Sequence, residues 1–155
     1  MTTTAYRIVK KKRVNSAFDG DGARLFPGRW NSRGTPIIYT ASSQALAILE
    51  IYVHCESEDL IHDQFVTIPI SIAGDCILAL DNSLPEDWNT HPASASTRII
   101  GDNWVAENAS AVLAVPSVVA PLERNYLLNP NHPDFKKIII KEPIPFNFDQ
   151  RLKEK

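Results

Sequence analysis

A single glutamate, Glu50, stands in the otherwise uncharged run Ala45–Val53. An ionised carboxylate in apolar surroundings costs several kcal/mol unless a partner offsets it, so folded proteins rarely keep one without a use. The spacing predicts a helix on which Glu50 shares a face with Leu46 and Val53. The carboxylate is then either functional or a residue at the core edge that pairs with His54, one turn further on. Because the helix is apolar nearly all round, we expect it to be buried, which favours the functional role.

A basic, turn-rich segment precedes this helix and carries Arg29 and Arg33 between two glycines. The planar guanidinium group binds phosphate bidentately, and glycine backbone can approach an anion closely. The two arginines are therefore either anion ligands or ordinary solvated side chains. Tyr39 follows on strand-like sequence, where a tyrosine packs in the core or stacks against a planar ligand. We expect Arg29, Arg33 and Tyr39 to be the partners of Glu50, so that loop, strand and helix form one site.

Further polar residues add to this pattern, and several common motifs are absent from the sequence. Arg7 interrupts a short apolar strand, where a buried guanidinium would need an anionic partner. Ser117 follows a strand and a proline, with Asn125 shortly after it, but lacks the G-x-S-x-G context of a hydrolase nucleophile. The histidines show no paired metal spacing, and the cysteines form no CxxC. Neither a P-loop nor a GxGxxG fingerprint is present.

The elements that must position these residues follow from periodicity and turn residues. Strands are predicted over Tyr6–Val9, Pro36–Thr40, Gln64–Ile72, Cys76–Leu80, Ala111–Val115 and Lys137–Lys141. One helix is predicted from a cap at Ser42 or Ser43 to about Cys55, and another over Ser94–Glu107. Because strand and helix segments do not alternate regularly, the sequence favours an α+β fold with a mainly antiparallel sheet.

The remaining segments are predicted to be irregular. Asn15–Gly34 is expected to form a long loop, and Pro116–Asp134 a connection punctuated by turns. Pro69, within the third predicted strand, indicates an edge position for that strand. The tail from Pro143 to Lys155 is expected to lie on the surface or to fray.

Length and charge restrict the class of protein. With 155 residues, 44% of them hydrophobic and 22% charged, the chain is expected to form one globular domain, 1–155. A net charge of −2 argues against direct nucleic-acid binding, and the basic run Lys10–Arg13 is best explained as a solvated loop. No window approaches the ~20 apolar residues of a membrane span, and the N-terminus lacks an apolar signal core. We therefore expect a cytoplasmic protein without membrane contact.

Taken together, these residues resemble the RES domain family of bacterial toxin–antitoxin systems. The matching segments run in order along nearly the whole chain: Gly20–Ala23, Gly28–Asn31, Gly34, Tyr39, Glu50, Pro116–Ser117 and Asn125–Pro133. Arg29, Glu50 and Ser117 resemble the arginine, glutamate and serine of the family name. Tyr6 and Arg7 resemble the aromatic–arginine pair of the family's first strand, with tyrosine where tryptophan is common. No single motif is diagnostic, but the combination is specific.

The resemblance implies a fold related to ADP-ribosyltransferase toxins, with two packed antiparallel sheets around a cleft for NAD⁺. NAD⁺ would be the substrate, with no resident cofactor, and its nicotinamide–ribose bond would be cleaved by hydrolysis or phosphorolysis. The implied partners are an Xre-type helix-turn-helix antitoxin that covers the active site and further copies of the chain within a toxin–antitoxin complex.

The resemblance also implies a role for each site residue. Glu50 would hold the ribose hydroxyls, stabilise positive charge on the sugar or orient the attacking group, with Arg29 and Tyr39 as further catalytic residues. The residues implied to contact NAD⁺ are Arg7, Arg29, Tyr39, Ser117 and Asn125. The arginines would hold the pyrophosphate, the tyrosine would stack on nicotinamide or its ribose, and the serine and asparagine would supply polar contacts.

Three other functions are considered beside NAD⁺ degradation. The same site could transfer ADP-ribose to a host protein, or the chain could be a ligand-binding or interaction module without catalysis. A toxin that acts on RNA is disfavoured by the acidic pI of about 6.1 and by the absence of a catalytic histidine pair.

Overall fold

The computed structural model describes residues 1–154, in which eight strands form one sheet. The strands are β1 (Thr2–Lys10), β2 (Ile38–Ala41), β3 (Phe65–Ala73), β4 (Ile77–Ala79), β5 (Val112–Pro116), β6 (Arg124–Leu128), β7 (Ile139–Ile140) and β8 (Ile144–Phe146). They lie in the order β4-β5-β6-β2-β1-β3-β7, and β8 also pairs with β3. Every pair is antiparallel except β4 with β5, which confirms the predicted α+β class with a mainly antiparallel sheet.

Helices cover one face of this sheet at two places. The helices are α1 (Asp21–Leu25), α2 (Gln44–His54), α3 (Ser57–His62), α4 (Ala95–Ala106) and α5 (Gln150–Lys153). Both predicted helices, α2 and α4, are confirmed. Ser43 caps α2, because its Oγ accepts a hydrogen bond from the Leu46 amide at 3.0 Å. α2 packs on β1 through Leu46, whereas α4 packs on β5 and β6 through Trp104.

β1 and β2 are joined at one residue pair, Tyr6 opposite Ala41. This narrow seam divides the sheet into two halves, one with β4, β5, β6 and β2, the other with β1, β3, β7 and β8. Arg7 spans the seam, because its Nη1 donates to the Tyr39 carbonyl at 2.8 Å and its Nε donates to the Ala17 carbonyl at 2.7 Å. The resemblance implied two packed sheets. The chain has one continuous sheet whose halves meet at this seam.

Arg7 has no carboxylate hydrogen-bonded to it among residues 1–154, and its acceptors are two backbone carbonyls. Burial lowers the pKa of the Arg7 guanidinium to about 10, although the nearby charge of Asp19 raises it. The group is therefore still charged at neutral pH, and the carbonyl dipoles together with the charge of Asp19 offset its burial.

β3 is an interior strand, so the prediction that Pro69 marks a sheet edge is wrong. β3 pairs with β1 along its whole length on one side and with β7 and β8 on the other. The Pro69 carbonyl accepts a hydrogen bond from the Lys141 amide at 3.0 Å. The missing N–H of the proline therefore falls where the pairing with β7 ends and the gap before β8 begins.

Each segment predicted to be irregular contains regular structure. Asn15–Gly34 includes α1, and Pro116–Asp134 includes the whole of β6. The C-terminal tail supplies β8 and the buried Phe148, whose ring lies 5.1 Å from that of Phe65. The prediction of a surface tail is therefore wrong for this part, while Lys155 lies outside the described residues.

α2 is buried along one stripe only. Leu46 is 2% exposed, whereas Leu49 is 38% and Val53 52% exposed. The prediction of a helix buried all round is therefore wrong, because no described segment covers the outer face of α2. Glu50 lies at the border of the two faces, with its side chain 25% exposed. No helix among the described residues is long and apolar enough to cross a membrane.

Candidate active site

Glu50 and Ser117, which are far apart in the sequence, are in direct contact. The Ser117 hydroxyl donates to Glu50 Oε1 at 2.8 Å, and Ser117 has no exposed surface. Ser117 Oγ also accepts hydrogen bonds from the amides of Val119 at 3.2 Å and Ala120 at 3.1 Å. Because Ser117 has no exposed surface, a substrate does not reach its hydroxyl in this structure. The hydroxyl orients the carboxylate and fixes the turn after β5.

The second carboxylate oxygen of Glu50, Oε2, has one charged neighbour, at a long distance. Its neighbour is His54, whose Nε2 lies 3.9 Å from Oε2 and whose side chain is 77% exposed. An ion pair this long and exposed contributes little to stability, so pairing with His54 does not account for Glu50. The expectation that Arg29, Arg33 or Tyr39 pairs with Glu50 is wrong, because none of them hydrogen-bonds to it in the described chain. Oε2 therefore remains available to a ligand.

Tyr39 is held by Asn31, which was named as the end of the matching segment Gly28–Asn31 but was not predicted to be a site residue. The Tyr39 hydroxyl donates to Asn31 Oδ1 at 2.6 Å and accepts from the Trp30 amide at 3.1 Å. Asn31 has no exposed surface, and its Nδ2 donates to the carbonyls of Ala23 and Thr35 at 2.7 and 3.1 Å. Burial raises the pKa of the Tyr39 phenol, so it stays neutral and cannot serve as a base.

The close approach of the loop to Tyr39 depends on a glycine. A Cβ at Gly28 would lie 2.8 Å from both Cζ and Oη of Tyr39. The Gly28 amide also donates to Asn31 Oδ1 at 2.9 Å. In the sequence, the structural role of Asn31 is indicated by the glycine three residues before it in a turn-rich segment.

Arg29 binds to the loop that precedes α4. Its Nη1 donates to the carbonyls of Trp88 at 3.1 Å and Thr90 at 2.7 Å, and its own carbonyl accepts from Thr97 Oγ1 at 2.8 Å. Within residues 1–154, neither Nε nor Nη2 of Arg29 has a hydrogen-bond acceptor. Arg29 is thus fixed on one side, with a second edge that can take an anion. Arg33 is exposed and makes no described hydrogen bond.

Asn125 shares a face of the sheet with Tyr39. In the register of β2 and β6, Ala41 is opposite Asn125 and Tyr39 is opposite Leu127. Tyr39 and Asn125 are therefore diagonal neighbours, with Cα atoms about 7–8 Å apart. This face is covered by α2 beside Ala41 and by α4 beside Leu127. We call the strip of sheet between the two helices the cleft.

The structure thus brings most of the expected site residues to the cleft. Tyr39 and Asn125 form its floor, Glu50 and Ser117 lie on the side of α2, and Arg29 lies on the side of α4. Arg7 reaches the seam from the other face, because strand alternation points it away from Tyr6. Among the described residues, no group of three His, Cys, Asp or Glu side chains is placed to hold a metal ion.

Comparison with known proteins identifies the family and the fold. Residues 4–149 match the RES domain. Toxin Res of Photorhabdus laumondii subsp. laumondii is 41% identical over 149 residues, 95% of each chain, and Toxin Res of Yersinia enterocolitica is 39% identical over 150 residues, 96% of this chain and 98% of its own. The Prs ADP-ribosylating toxin of Sphingobium sp. strain YBL2 is 37% identical over 157 residues, 98% of each chain.

A chain from the crystal structure of the M. tuberculosis MbcT-MbcA toxin-antitoxin complex has a similar fold. The TM-score is 0.78 at 19% identity, and the match covers 100% of this chain and 91% of that one. The two chains therefore share the same fold over nearly their whole length. With the family match over nearly its whole length, the chain belongs to the RES domain family.

Proposed function

We propose that this protein is the toxin of a toxin–antitoxin pair and degrades NAD⁺ by cleaving its nicotinamide–ribose bond. The observation that carries the proposal is the Glu50 carboxylate, which Ser117 holds at the edge of the cleft with one oxygen available. The names of the relatives from Photorhabdus and Yersinia support the toxin role.

One carboxylate is enough for this chemistry. The nicotinamide–ribose bond breaks through an oxocarbenium-like state, as in glycoside hydrolysis. The bonding electrons pass to the cationic pyridinium ring, nicotinamide leaves as a neutral molecule, and no general acid is needed. Glu50 Oε2 stabilises the positive charge on the sugar, holds the ribose hydroxyls or orients the oxygen that bonds to C1′. That oxygen comes from water in hydrolysis and from phosphate in phosphorolysis.

The remaining residues bind the dinucleotide. Arg29 offers Nε and Nη2 to the pyrophosphate, and Arg7 offers its unused N–H groups at the seam. Tyr39 presents its ring to nicotinamide or its ribose, while Asn125 supplies an amide. Ser117 acts through Glu50, since its hydroxyl is fully used within the protein.

A second candidate function is transfer of ADP-ribose to a protein. It is favoured by the name of the Sphingobium relative, a Prs ADP-ribosylating toxin. The site and the bond broken are the same, and only the acceptor differs. An antitoxin partner is supported by the structural neighbour, which comes from a toxin–antitoxin complex. That the antitoxin is of the Xre type and covers the cleft, and that the chain self-associates, are further parts of the proposal.

Incubation of the purified protein with NAD⁺ tests these alternatives. Free nicotinamide in the absence of any protein acceptor supports degradation, and a product that changes on adding phosphate identifies phosphorolysis. Label on an added protein, with no nicotinamide release in its absence, supports transfer. Binding of NAD⁺ without turnover would contradict both and leave a non-catalytic module.

Replacing Arg29 should weaken substrate binding. We expect Arg29→Ala to raise the KM for NAD⁺ about 10–100-fold, because charge-assisted hydrogen bonds to the pyrophosphate are lost. Arg29→Lys should recover only part of the loss, since a point charge cannot replace the bidentate guanidinium. Steady-state kinetics measures both effects. Arg33→Ala is the matched control, and an unchanged KM in Arg29→Ala would show that Arg29 does not touch the substrate.

Replacing Ser117 should lower turnover without abolishing it. Ser117→Ala removes one hydrogen bond to Glu50, so we expect kcat to fall about 10–100-fold. Because the serine acts through the carboxylate, the double variant with Glu50→Gln should be no slower than Glu50→Gln alone. Measured kcat values for the single and double variants test this. Additive losses would indicate that Ser117 contacts the substrate independently.

A further inference from the structure

A cavity of about 250 Å³ opens where β5 ends and β6 begins. Its lining is mixed, with the apolar Leu84, Trp88 and exposed Leu122 beside the charged Asp81, Glu123 and Arg124. Leu84 and Tyr39 pack against the same hydrophobic cluster, which includes Leu113, so this side of the cavity lies on the face of the sheet that carries the cleft. None of the roles assigned so far uses these residues.

The cavity is connected to the candidate active site in two ways, along the chain and by a hydrogen bond. Pro116, which lines the cavity, directly precedes Ser117, whose hydroxyl lies 2.8 Å from Glu50. Trp88 lines the cavity, and its carbonyl accepts a hydrogen bond from Arg29 at 3.1 Å. The cavity is therefore next to residues that hold both Glu50 and Arg29.

We propose that this cavity binds the adenine ring of NAD⁺, an assignment that rests on the proposed function. Pockets that enclose a whole drug-sized ligand measure about 300–1,000 Å³, so about 250 Å³ suits one ring system of a dinucleotide. Adenine is planar and neutral, and its faces stack on aromatic side chains such as that of Trp88. Arg29 then meets the pyrophosphate that joins the two nucleotides.

The rim of the cavity fits the edge of the same base. Adenine presents an amino group that donates hydrogen bonds. Asp81 uses Oδ1 in its ion pair with Arg124, and its Oδ2 has no partner among residues 1–154. This carboxylate oxygen can accept a hydrogen bond from the amino group, whereas the side chain of Leu84 needs no polar partner.

Calorimetry with adenosine monophosphate measures binding to the cavity independently of catalysis. Base–aromatic stacking predicts that Trp88→Ala weakens binding about 5–150-fold, while Trp88→Phe keeps most of it. Ile99→Ala, exposed on α4 and outside the cavity, is the control. Ribose 5-phosphate, which lacks the base, should bind the wild type and Trp88→Ala equally. Equal affinity of the two proteins for adenosine monophosphate would overturn the assignment.

Kinetics with a shortened substrate separates this inference from the proposed function. Nicotinamide mononucleotide lacks the adenosine half of NAD⁺. In Trp88→Ala, kcat/KM for NAD⁺ divided by kcat/KM for nicotinamide mononucleotide should fall by the factor by which the affinity for adenosine monophosphate falls. An unchanged ratio would mean that Trp88 does not contact the base. If the wild type releases no nicotinamide, yet binds adenosine monophosphate in a Trp88-dependent manner, the proposed function fails and the cavity assignment stands.

Discussion

Glu50→Gln is expected to lower kcat for NAD⁺ cleavage about 10²–10³-fold while the protein still binds NAD⁺. Glutamine keeps the size of the side chain and can accept from Ser117, so the geometry of the cleft is preserved. The lost charge matters only when the sugar becomes cationic, and the effect should therefore fall on kcat with little change in Kd. Nicotinamide release and calorimetry measure the two quantities.

The matched control for this variant is Glu142→Gln, which removes an exposed glutamate far along the chain. Its kcat should equal that of the wild type. Near wild-type turnover in Glu50→Gln would contradict the catalytic role of Glu50. Loss of NAD⁺ binding in that variant would show that the carboxylate binds the substrate. Either result would leave the fold and the family membership unaffected.

Gly101→Ala is expected to cause the largest loss of stability from a single methyl group. A Cβ at Gly101 would lie 1.6 Å from the Trp30 carbonyl oxygen, so the backbone of α4 or of the loop must move. Overpacking of this kind costs about 3 kcal/mol, which lowers Tm by roughly 6–12 °C for a chain of this size. Thermal denaturation measures the change, and NAD⁺ binding should weaken because Arg29 lies beside Trp30.

Gly22→Ala provides the contrast, because it adds the same methyl group in a helix with no atom within 4 Å. Alanine is a better helix former than glycine, so this variant should be as stable as the wild type or slightly more stable. A drop in Tm of less than about 2 °C in Gly101→Ala would show that α4 and the loop can separate easily.

Two features of the candidate site have a local signal in the sequence. Glu50 is conspicuous because it is the one acidic residue in an apolar helix, and Ser42 or Ser43 was predicted as the cap of that helix, which the structure assigns to Ser43. The contact between Glu50 and Ser117 has no local signal. Only the family resemblance grouped the two residues, because their approach depends on how β2, β5 and β6 are ordered in the sheet.

The errors share a physical origin in tertiary contacts. β6 was missed because its first residues, Arg124 and Asn125, are polar and follow turn-forming sequence, although pairing on both sides makes it an interior strand. The contacts of Arg7 could not be predicted, since sequence cannot show that the carbonyls of Ala17 and Tyr39 converge on it. Asn31 was overlooked because polar loop residues are usually solvated.

The position of Phe148 sets the order in which the site can be completed during synthesis. The helix that carries Glu50 rests on a cluster in which Leu46 and Ala47 pack with Phe65 and Phe148. Phe148 is synthesised about 100 residues after Glu50, which at ribosomal speed corresponds to about 5–20 s. Throughout that interval the nascent chain lacks one member of this cluster. The helix that carries Glu50 is therefore fully packed only after Phe148 has left the ribosome.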